Sequence, residues 1–267
     1  MFALVDCNNF YVSCERVFNP ACRKKPVVVL SNNDGCIISR SEEAKKLGIK
    51  MGEPAFKIKE LIDKNNVFVF SSNYALYGNM SERVMNTLAT LVKDMEIYSI
   101  DEAFLDMKGY DKEPIVDFAY RIRNRVLQWT GVPVSVGIGP TKTLAKIAAK
   151  IAKKNTGVFI FNESEKTDEI LNTYPVEDIW GVGRQYAHFL KKFGYDTALK
   201  LKNADDAFIK KHMKVVGLRT VYELRGISCY KLQTHVPMKE NICTARSFGK
   251  MTENFEIIAE ATANYAA

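Results

Sequence analysis

The stretch EIYSIDEAFLDM, residues 96–107, limits the fold more than any other part of the chain. Ile97, Tyr98 and Ile100 precede the acids Asp101 and Glu102, and Ala103, Phe104 and Leu105 follow them. Apolar runs on either side of a short polar break predict two strands joined by a tight turn. The common turn formers Gly, Asn and Pro are absent here. Neighbouring side chains on a regular strand point to opposite faces, so adjacent acids share a target only where the backbone turns. Two carboxylates held close repel unless a cation lies between them. The pair is therefore either a solvated acidic turn or part of a metal site.

The elements around this hairpin favour the second reading. FALVD (2–6) reads as a buried strand, and a long helical pattern runs from Asn73 to Met95, with Leu76, Met80, Val84, Leu88 and Leu91 at spacings of three and four. After the hairpin come a helix near 114–129 and the strand PVSVGIG (133–139). With residues 12–72 set aside as an insertion, the order is strand, helix, strand, strand, helix, strand. That is the ferredoxin-like order, an α+β fold. Its first and third strands lie side by side in the sheet centre, which predicts that Asp6 meets Asp101 and Glu102. Three carboxylates from two distant segments would then converge.

The insertion has its own elements. PVVVLS (26–31) and CIISR (35–39) read as strands around the turn NNDG, SEEAKKLG (41–48) as a short helix ended by Gly48, and VFVFSS (67–72) as a further strand. KKNTG (153–157) reads as a helix end, and the chain after about Val176 as a separate helical unit. ICTARSFGK (242–250) is the only strand candidate near the end, followed by a helix near 254–265.

Composition matters chiefly through charge. The net charge is +7, yet residues 1–180 are nearly balanced, with 24 Lys+Arg against 23 Asp+Glu. Residues 181–225 carry ten basic and four acidic residues, which is nearly all of the excess. A basic excess so localised points to a polyanionic partner. None of the six cysteines forms a CxxC pair and there are three histidines, which argues against a structural zinc site. No segment approaches the roughly 18 apolar residues of a membrane span, and the first residues lack the basic start of a secretory signal. A soluble protein of a reducing compartment, with free thiols, is expected.

Three further segments carry chemistry. Phe10 and Tyr11 follow Asp6 by four and five residues, so Tyr11 is either a partly buried aromatic or, as the short spacing to Asp6 favours, a ring that lies against a bound sugar. In PTKTLAKIAAKIAKKN (140–155), Lys142, Lys146 and Lys150 recur every four residues beside Lys153, opposite Leu144, Ile147, Ala148 and Ile151. Such a basic stripe is either a solvated face or, near a carboxylate cluster, a holder of phosphates. PVEDIWGVGRQYAHFLKKFGYDTALKL (175–201) matches a helix-hairpin-helix, in which Gly181, Val182, Gly183 and Arg184 form the expected contact with a nucleic-acid backbone. Glycines at a helix start let backbone N–H groups approach a phosphate without reading bases.

Together these segments resemble a known family. DCNNFYVSCE, NNDGCIISRSEEAKKLGIKMGEP, YSIDEAFLD, GIGPTKTLAKIAAKIAKKNTG and IWGVG are similar to motifs of the Y-family translesion DNA polymerases. SNNDGC and SIDEAF place the chain nearest the catalytic subunits of bacterial DNA polymerase V. The resemblance covers essentially the whole chain. It implies a ferredoxin-like palm (1–11 and 73–165), inserted fingers (12–72), a helix-hairpin-helix thumb (166–235) and the start of a little finger (236–267). It implies error-prone, template-directed nucleotidyl transfer to a primer 3′-OH in DNA damage tolerance and SOS mutagenesis, in the cytoplasm. Asp6, Asp101 and Glu102, with the backbone carbonyl of Cys7, would hold two Mg²⁺ ions. Tyr11 matches a steric gate against a ribose 2′-OH, with Phe10 beside it. Ile38, Ser39 and Gly52 match positions over the nascent base pair, and Lys45 and Lys153 match triphosphate contacts. The implied partners are primer-template DNA, a deoxynucleoside triphosphate, an accessory subunit dimer, a recombinase filament and a sliding clamp.

Three positions depart from the family pattern. Asn8 replaces a frequent second Asp and is left out of the metal ligands, Glu42 replaces a frequent Tyr, and Lys45 replaces an Arg without its bidentate fork. The resemblance also implies that the chain is a fragment, because a complete little finger needs a four-stranded βαββαβ unit. Two other readings stand beside the polymerase: a non-catalytic DNA-binding fragment, and a nucleotide cyclase, which sets similar acids on a similar palm but has no use for a duplex grip.

Overall fold

The computed structural model describes residues 1–110, 113–161, 164–234, 241 and 248–266. In chain order its elements begin with β1 (Phe2–Cys7), α1 (Phe10–Phe18), β2 (Val27–Leu30), β3 (Ile37–Arg40), α2 (Glu42–Lys46), α3 (Lys59–Lys64), β4 (Phe68–Phe70) and α4 (Tyr74–Ala89). Next come β5 (Met95–Ile97), β6 (Glu102–Asp106), α5 (Ile115–Thr130), β7 (Val134–Gly139), α6 (Lys142–Lys154) and β8 (Val158–Ile160). The remainder is α7 (Ser164–Thr173), α8 (Arg184–Lys192), α9 (Ala198–Lys202), α10 (Asp206–Leu224) and α11 (Phe255–Ala266). Two compact units result: residues 1–23 with 73–234, and residues 24–72 with the described part of 235–267.

The first unit is built on a five-stranded sheet in the order β5-β6-β1-β7-β8. The expected ferredoxin-like neighbours are present, since β1 pairs antiparallel with β6 on one side and β7 on the other. β8 adds a parallel strand beyond β7. β1 is buried along its whole length, so both of its faces are covered. Alternation along the strand puts Phe2, Leu4 and Asp6 on one face. Phe2 and Leu4 pack there with Phe104 of β6 and with Ala145 and Ala149 of α6. This is the face that α6 crosses.

Two glycines allow α6 to lie so close. Gly137 pairs with Leu4 and Gly139 with Phe2, so both point at α6. A Cβ at Gly137 would stand 1.9 Å from the Ala149 backbone nitrogen, and one at Gly139 would stand 2.9 Å from that of Ala145. The α6 backbone therefore rests directly on the strand, and its lysines are carried out over the strand ends.

The helix expected from Asn73 to Met95 ends at Ala89. Leu91 and Val92 donate back to the Leu88 carbonyl at 2.9 and 3.2 Å, which closes the last turn. The chain then leaves helical geometry so that Met95 can pair with Leu105. Strand pairing overrides the helical periodicity of that segment. The helical region beyond Val176 packs on α6. Leu171, Val176, Ile179, Leu190, Leu201 and Ile209 share one apolar cluster with Leu144, Ile147 and Ala148 of α6.

In the second unit β2 pairs antiparallel with β3 and parallel with β4. The Ser41 hydroxyl caps α2 by accepting from the Ala44 N–H at 3.1 Å. The helix near the C-terminal end is α11, and most of the strand expected at 242–250 lies outside the described residues.

Candidate active site

The β1–β6 register sets Asp6 directly opposite Glu102, and the Cys7 N–H donates to the Asp101 carbonyl at 2.9 Å. Residues 98–101 form the turn, and Glu102 is the first residue of β6. The adjacent acids thus sit where the backbone stops turning and pairs with β1. Ser99 organises the turn. Its hydroxyl donates to the Asp101 carboxylate at 2.7 Å and accepts from the Glu102 N–H at 3.0 Å. All four expected metal-site residues, Asp6, Cys7, Asp101 and Glu102, meet at this end of the sheet.

The charges of the site are balanced by α6. Lys153 pairs with Asp6 at 2.5 Å and Lys146 with Glu102 at 2.9 Å. Lys150 pairs with Asp178 at 2.6 Å, and Lys142, almost wholly buried, pairs with Glu96. The stripe legible in the sequence is thus a row of ion pairs, not a solvated face. Asp6 is 7% exposed. Burial pushes its pKa up to about 7, against the opposing pull of Lys153. Its Oδ1 is buried and has no hydrogen-bond partner. A buried carboxylate oxygen without a donor is costly, and a cation would satisfy it.

The donor set fits a hard divalent ion, which takes carboxylate and carbonyl oxygens. The Cys7 thiol is buried, and burial with the nearby Asp6 carboxylate raises its pKa well above the usual range, so an oxygen ligand from this residue is its carbonyl. Among the described residues no three His, Cys, Asp or Glu side chains already close around a cation position. Lysines hold that role, and the orphaned Asp6 oxygen is what marks the site. Beside it opens a cleft of about 400 Å³ lined by Asp6, Glu102, Lys146, Lys150, Lys153 and Trp180, among others.

The flanking aromatic residues divide in their roles. Tyr11, on α1, stacks on Tyr77 of α4 with ring centroids 4.3 Å apart and meets Tyr74 edge-on at 6.2 Å. Tyr77 is itself held by a 2.7 Å hydrogen bond from its hydroxyl to Glu15. Tyr11 is therefore a braced, partly exposed ring. Phe10 is a buried core side chain, so any contact it makes with a ligand is through its backbone. The Asn8 side-chain oxygen accepts from the Ser135 hydroxyl at 2.8 Å, which ties the end of β1 to β7.

Ile38, Ser39, Lys45 and Gly52 belong to the second unit. Ser39 is buried on β3, Lys45 pairs with Glu42 at 2.6 Å, and Gly52 occupies a turn with φ +75°. Glu42 thereby gains a partner that its place in the motif did not reveal. In the first unit, Gly181 sits at φ +85° in the hairpin turn, and Val182 is buried and donates to Ile179 at 3.0 Å. Gly183 caps α8, whose first residue, Arg184, is exposed. A Cβ at Gly183 would meet nothing within 4 Å, so the turn's outer surface is open.

Residues 5–150 match the model of the impB/mucB/samB family, more than half of the chain. The chain belongs to the impB/mucB/samB family. Protein UmuC of Salmonella typhimurium LT2 is 48% identical to it over 272 residues, a match that covers 100% of this chain and 64% of UmuC. The chain thus spans just under two thirds of that relative. Among solved structures, the insertion ternary complex of Dbh DNA polymerase superposes with a TM-score of 0.77 at 26% identity, over 87% of this chain and 70% of that one. A Y-family DNA polymerase chimera of Dbh and Dpo4 superposes with a TM-score of 0.78 at 25% identity, over 89% and 71%.

Sequence reasoning missed the partners of the α6 lysines, the tryptophan in the cleft and a buried acid, Glu223. The Glu223 carboxylate accepts from the N–H groups of Thr143 (2.9 Å), Cys229 (2.6 Å) and Tyr230 (3.3 Å). Nothing in the spacing of Glu223 marks it. Lys142, Lys146 and Lys150 did carry a signal, their four-residue period, but that period does not name partners 28 to 46 residues away.

Proposed function

We propose that this chain is the catalytic portion of a template-directed, error-prone translesion DNA polymerase. The carrying observation is Asp6 opposite Glu102 with a buried, unpartnered carboxylate oxygen. Asp6, Asp101, Glu102 and the Cys7 carbonyl would hold two Mg²⁺ ions, which supply activation of a primer 3′-hydroxyl and charge stabilisation of the departing pyrophosphate. Lys153 and Lys150 line the same cleft and would turn from their acidic partners to the triphosphate. Tyr11 would press on the sugar edge and exclude a 2′-OH. Gly181–Arg184 would hold the duplex backbone without reading its sequence.

The division into palm (1–11 and 73–165), fingers (12–72), thumb (166–235) and the start of a little finger (236–267) belongs to this reading. So do Ile38, Ser39 and Gly52 over the base pair, Phe10 beside Tyr11 and Lys45 on the phosphates. Primer-template DNA and a deoxynucleoside triphosphate are the substrates, and the setting is the cytoplasm during SOS mutagenesis. An accessory subunit dimer, a recombinase filament and a sliding clamp are the proposed partners of the full-length protein. No described helix is long and apolar enough to cross a membrane.

The non-catalytic alternative keeps the duplex grip and loses the chemistry, while a cyclase keeps the chemistry and has no need of the grip. Primer extension with Mg²⁺, run beside duplex binding on one preparation, separates all three. Asp101→Asn keeps the side-chain size and removes a charge. It is expected to abolish extension and leave duplex affinity within about twofold, since Gly181–Arg184 lie elsewhere. Normal extension by the variant would refute the metal assignment.

A further inference from the structure

Trp180 is the residue immediately before Gly181, and its ring faces the carboxylate cleft. Its indole N–H donates to the Tyr98 hydroxyl at 3.1 Å, and the two rings meet at 90° with centroids 5.6 Å apart. Phe104 and Tyr230 also flank it, at 6.2 and 5.4 Å. The Lys146 ammonium lies 4.4 Å from the Tyr98 ring centroid, 5.5 Å from that of Trp180 and 5.8 Å from that of Phe104. On its remaining side it pairs with the Glu102 carboxylate at 2.9 Å. Lys146 therefore sits in an aromatic box with a single anionic wall, and the box is shared between the hairpin turn and the carboxylate site.

We infer that Trp180 is a positioning residue that couples the hairpin turn at 181–184 to Glu102 through Lys146. The inference rests on the reading of Asp6 and Glu102 as cation ligands. A divalent cation drawn to Glu102 competes with Lys146 for the same carboxylate. The ammonium then keeps only its aromatic faces and shifts among them, and Trp180 is one of those faces. A duplex seated on Gly181–Arg184 holds the backbone from which Trp180 projects, and so fixes the box from the other side. Because both ligands act on one element, each must alter the affinity for the other by the same factor.

The test uses tryptophan emission. The chain has two tryptophans, and Trp129 lies on α5 under Arg125, with the guanidinium 4.6 Å from its ring. Trp129→Phe keeps an aromatic ring there and leaves Trp180 as the sole emitter. In that background Mg²⁺ alone and a short duplex alone are each expected to shift Trp180 emission. Lys146→Met and Glu102→Gln should each abolish the Mg²⁺ response and keep the duplex response. Occupancy by Mn²⁺, followed by the loss of its free-ion EPR signal, gives a second readout. Trp180→Ala should move the Mn²⁺ midpoint by about 2- to 30-fold, the range from an exposed to a desolvated cation–π contact, and Trp180→Phe should restore most of it.

Trp180 emission unchanged by Mg²⁺ while Mn²⁺ demonstrably binds would overturn the coupling and leave the cation site standing. So would a Mg²⁺ response that persists in both Lys146→Met and Glu102→Gln. Absence of Mn²⁺ binding by the unaltered chain would remove the cation site and the coupling together. If Trp180→Ala does not fold, the emission experiment decides alone.

Discussion

Gly137→Ala tests the placement of α6, on which every ion pair of the cleft depends. The new Cβ would lie 1.9 Å from the Ala149 nitrogen and 2.5 Å from the Ala148 carbonyl carbon. Ordinary contact begins near 3.4 Å, so helix and strand must separate by about 1.5 Å. Both are backbone atoms, and no side-chain rotation relieves the clash. Overpacking a well-filled core costs about 1–3 kcal/mol and sometimes more, and a clash between two main chains belongs at the upper end. At about 2–4 °C per kcal/mol for a unit of this size, Tm should fall by about 6–12 °C.

The same displacement moves Lys146 and Lys153 away from Glu102 and Asp6. A misplacement of about 1 Å at a reacting centre can lower a rate about 100-fold, so primer extension should fall at least that far. Gly139→Ala makes a graded control. Its Cβ would stand 2.9 Å from the Ala145 nitrogen, so a shift of about 0.5 Å suffices, and a Tm loss of about 2–4 °C is expected. Differential scanning calorimetry and extension assays on the two variants give the ordering. If Gly137→Ala melts within a degree of the unaltered chain, or Gly139→Ala is the worse of the two, the close packing of α6 is not what holds the site.

Tyr11→Ala should raise the ratio of ribonucleotide to deoxynucleotide incorporation efficiency by about 100-fold, because the braced ring would no longer meet a 2′-OH; an unchanged ratio would make Tyr11 a packing residue for Tyr77. Gly183→Val should leave Tm nearly unaltered, since the position is open, and weaken duplex binding to all sequences alike. The affinity itself should fall steeply with added salt, and a salt-independent affinity measured by anisotropy would count against a phosphate grip. Glu223→Ala leaves three N–H groups, one buried and two part-buried, without their acceptor. It should cost about 3 kcal/mol or more by chemical denaturation, with Glu223→Gln costing less because one carbonyl oxygen remains.

Much of this architecture is written in local pattern. Val134–Gly139 and Phe2–Cys7 are predominantly apolar segments, broken only by Ser135 and Asp6, that belong in a sheet, and the order of elements around EIYSIDEAFLDM admits few topologies. That order was enough to place Asp6 beside Asp101 and Glu102, because a ferredoxin-like sheet has only one neighbour to offer the first strand on that side. The period of the α6 lysines and the GVG turn were also legible, since helical spacing and glycine conformation are local properties.

Tertiary structure decided the partners. Helical periodicity says that Lys142, Lys146 and Lys150 share a face, but not that Glu96, Glu102 and Asp178 wait on it. Those pairings follow from the distance at which α6 rests on β7, which Gly137 and Gly139 set. The helix from Asn73 stops at Ala89 because Met95 is claimed by Leu105 across the hairpin, and the helical periodicity of 73–95 carries no sign of that pairing. Trp180 reads as a turn aromatic until the fold brings Tyr98 to its indole N–H and Lys146 to its face. Propensity and periodicity act within a few residues along the chain, whereas ion pairs, aromatic boxes and buried acceptors are satisfied only between segments that the fold has already brought together.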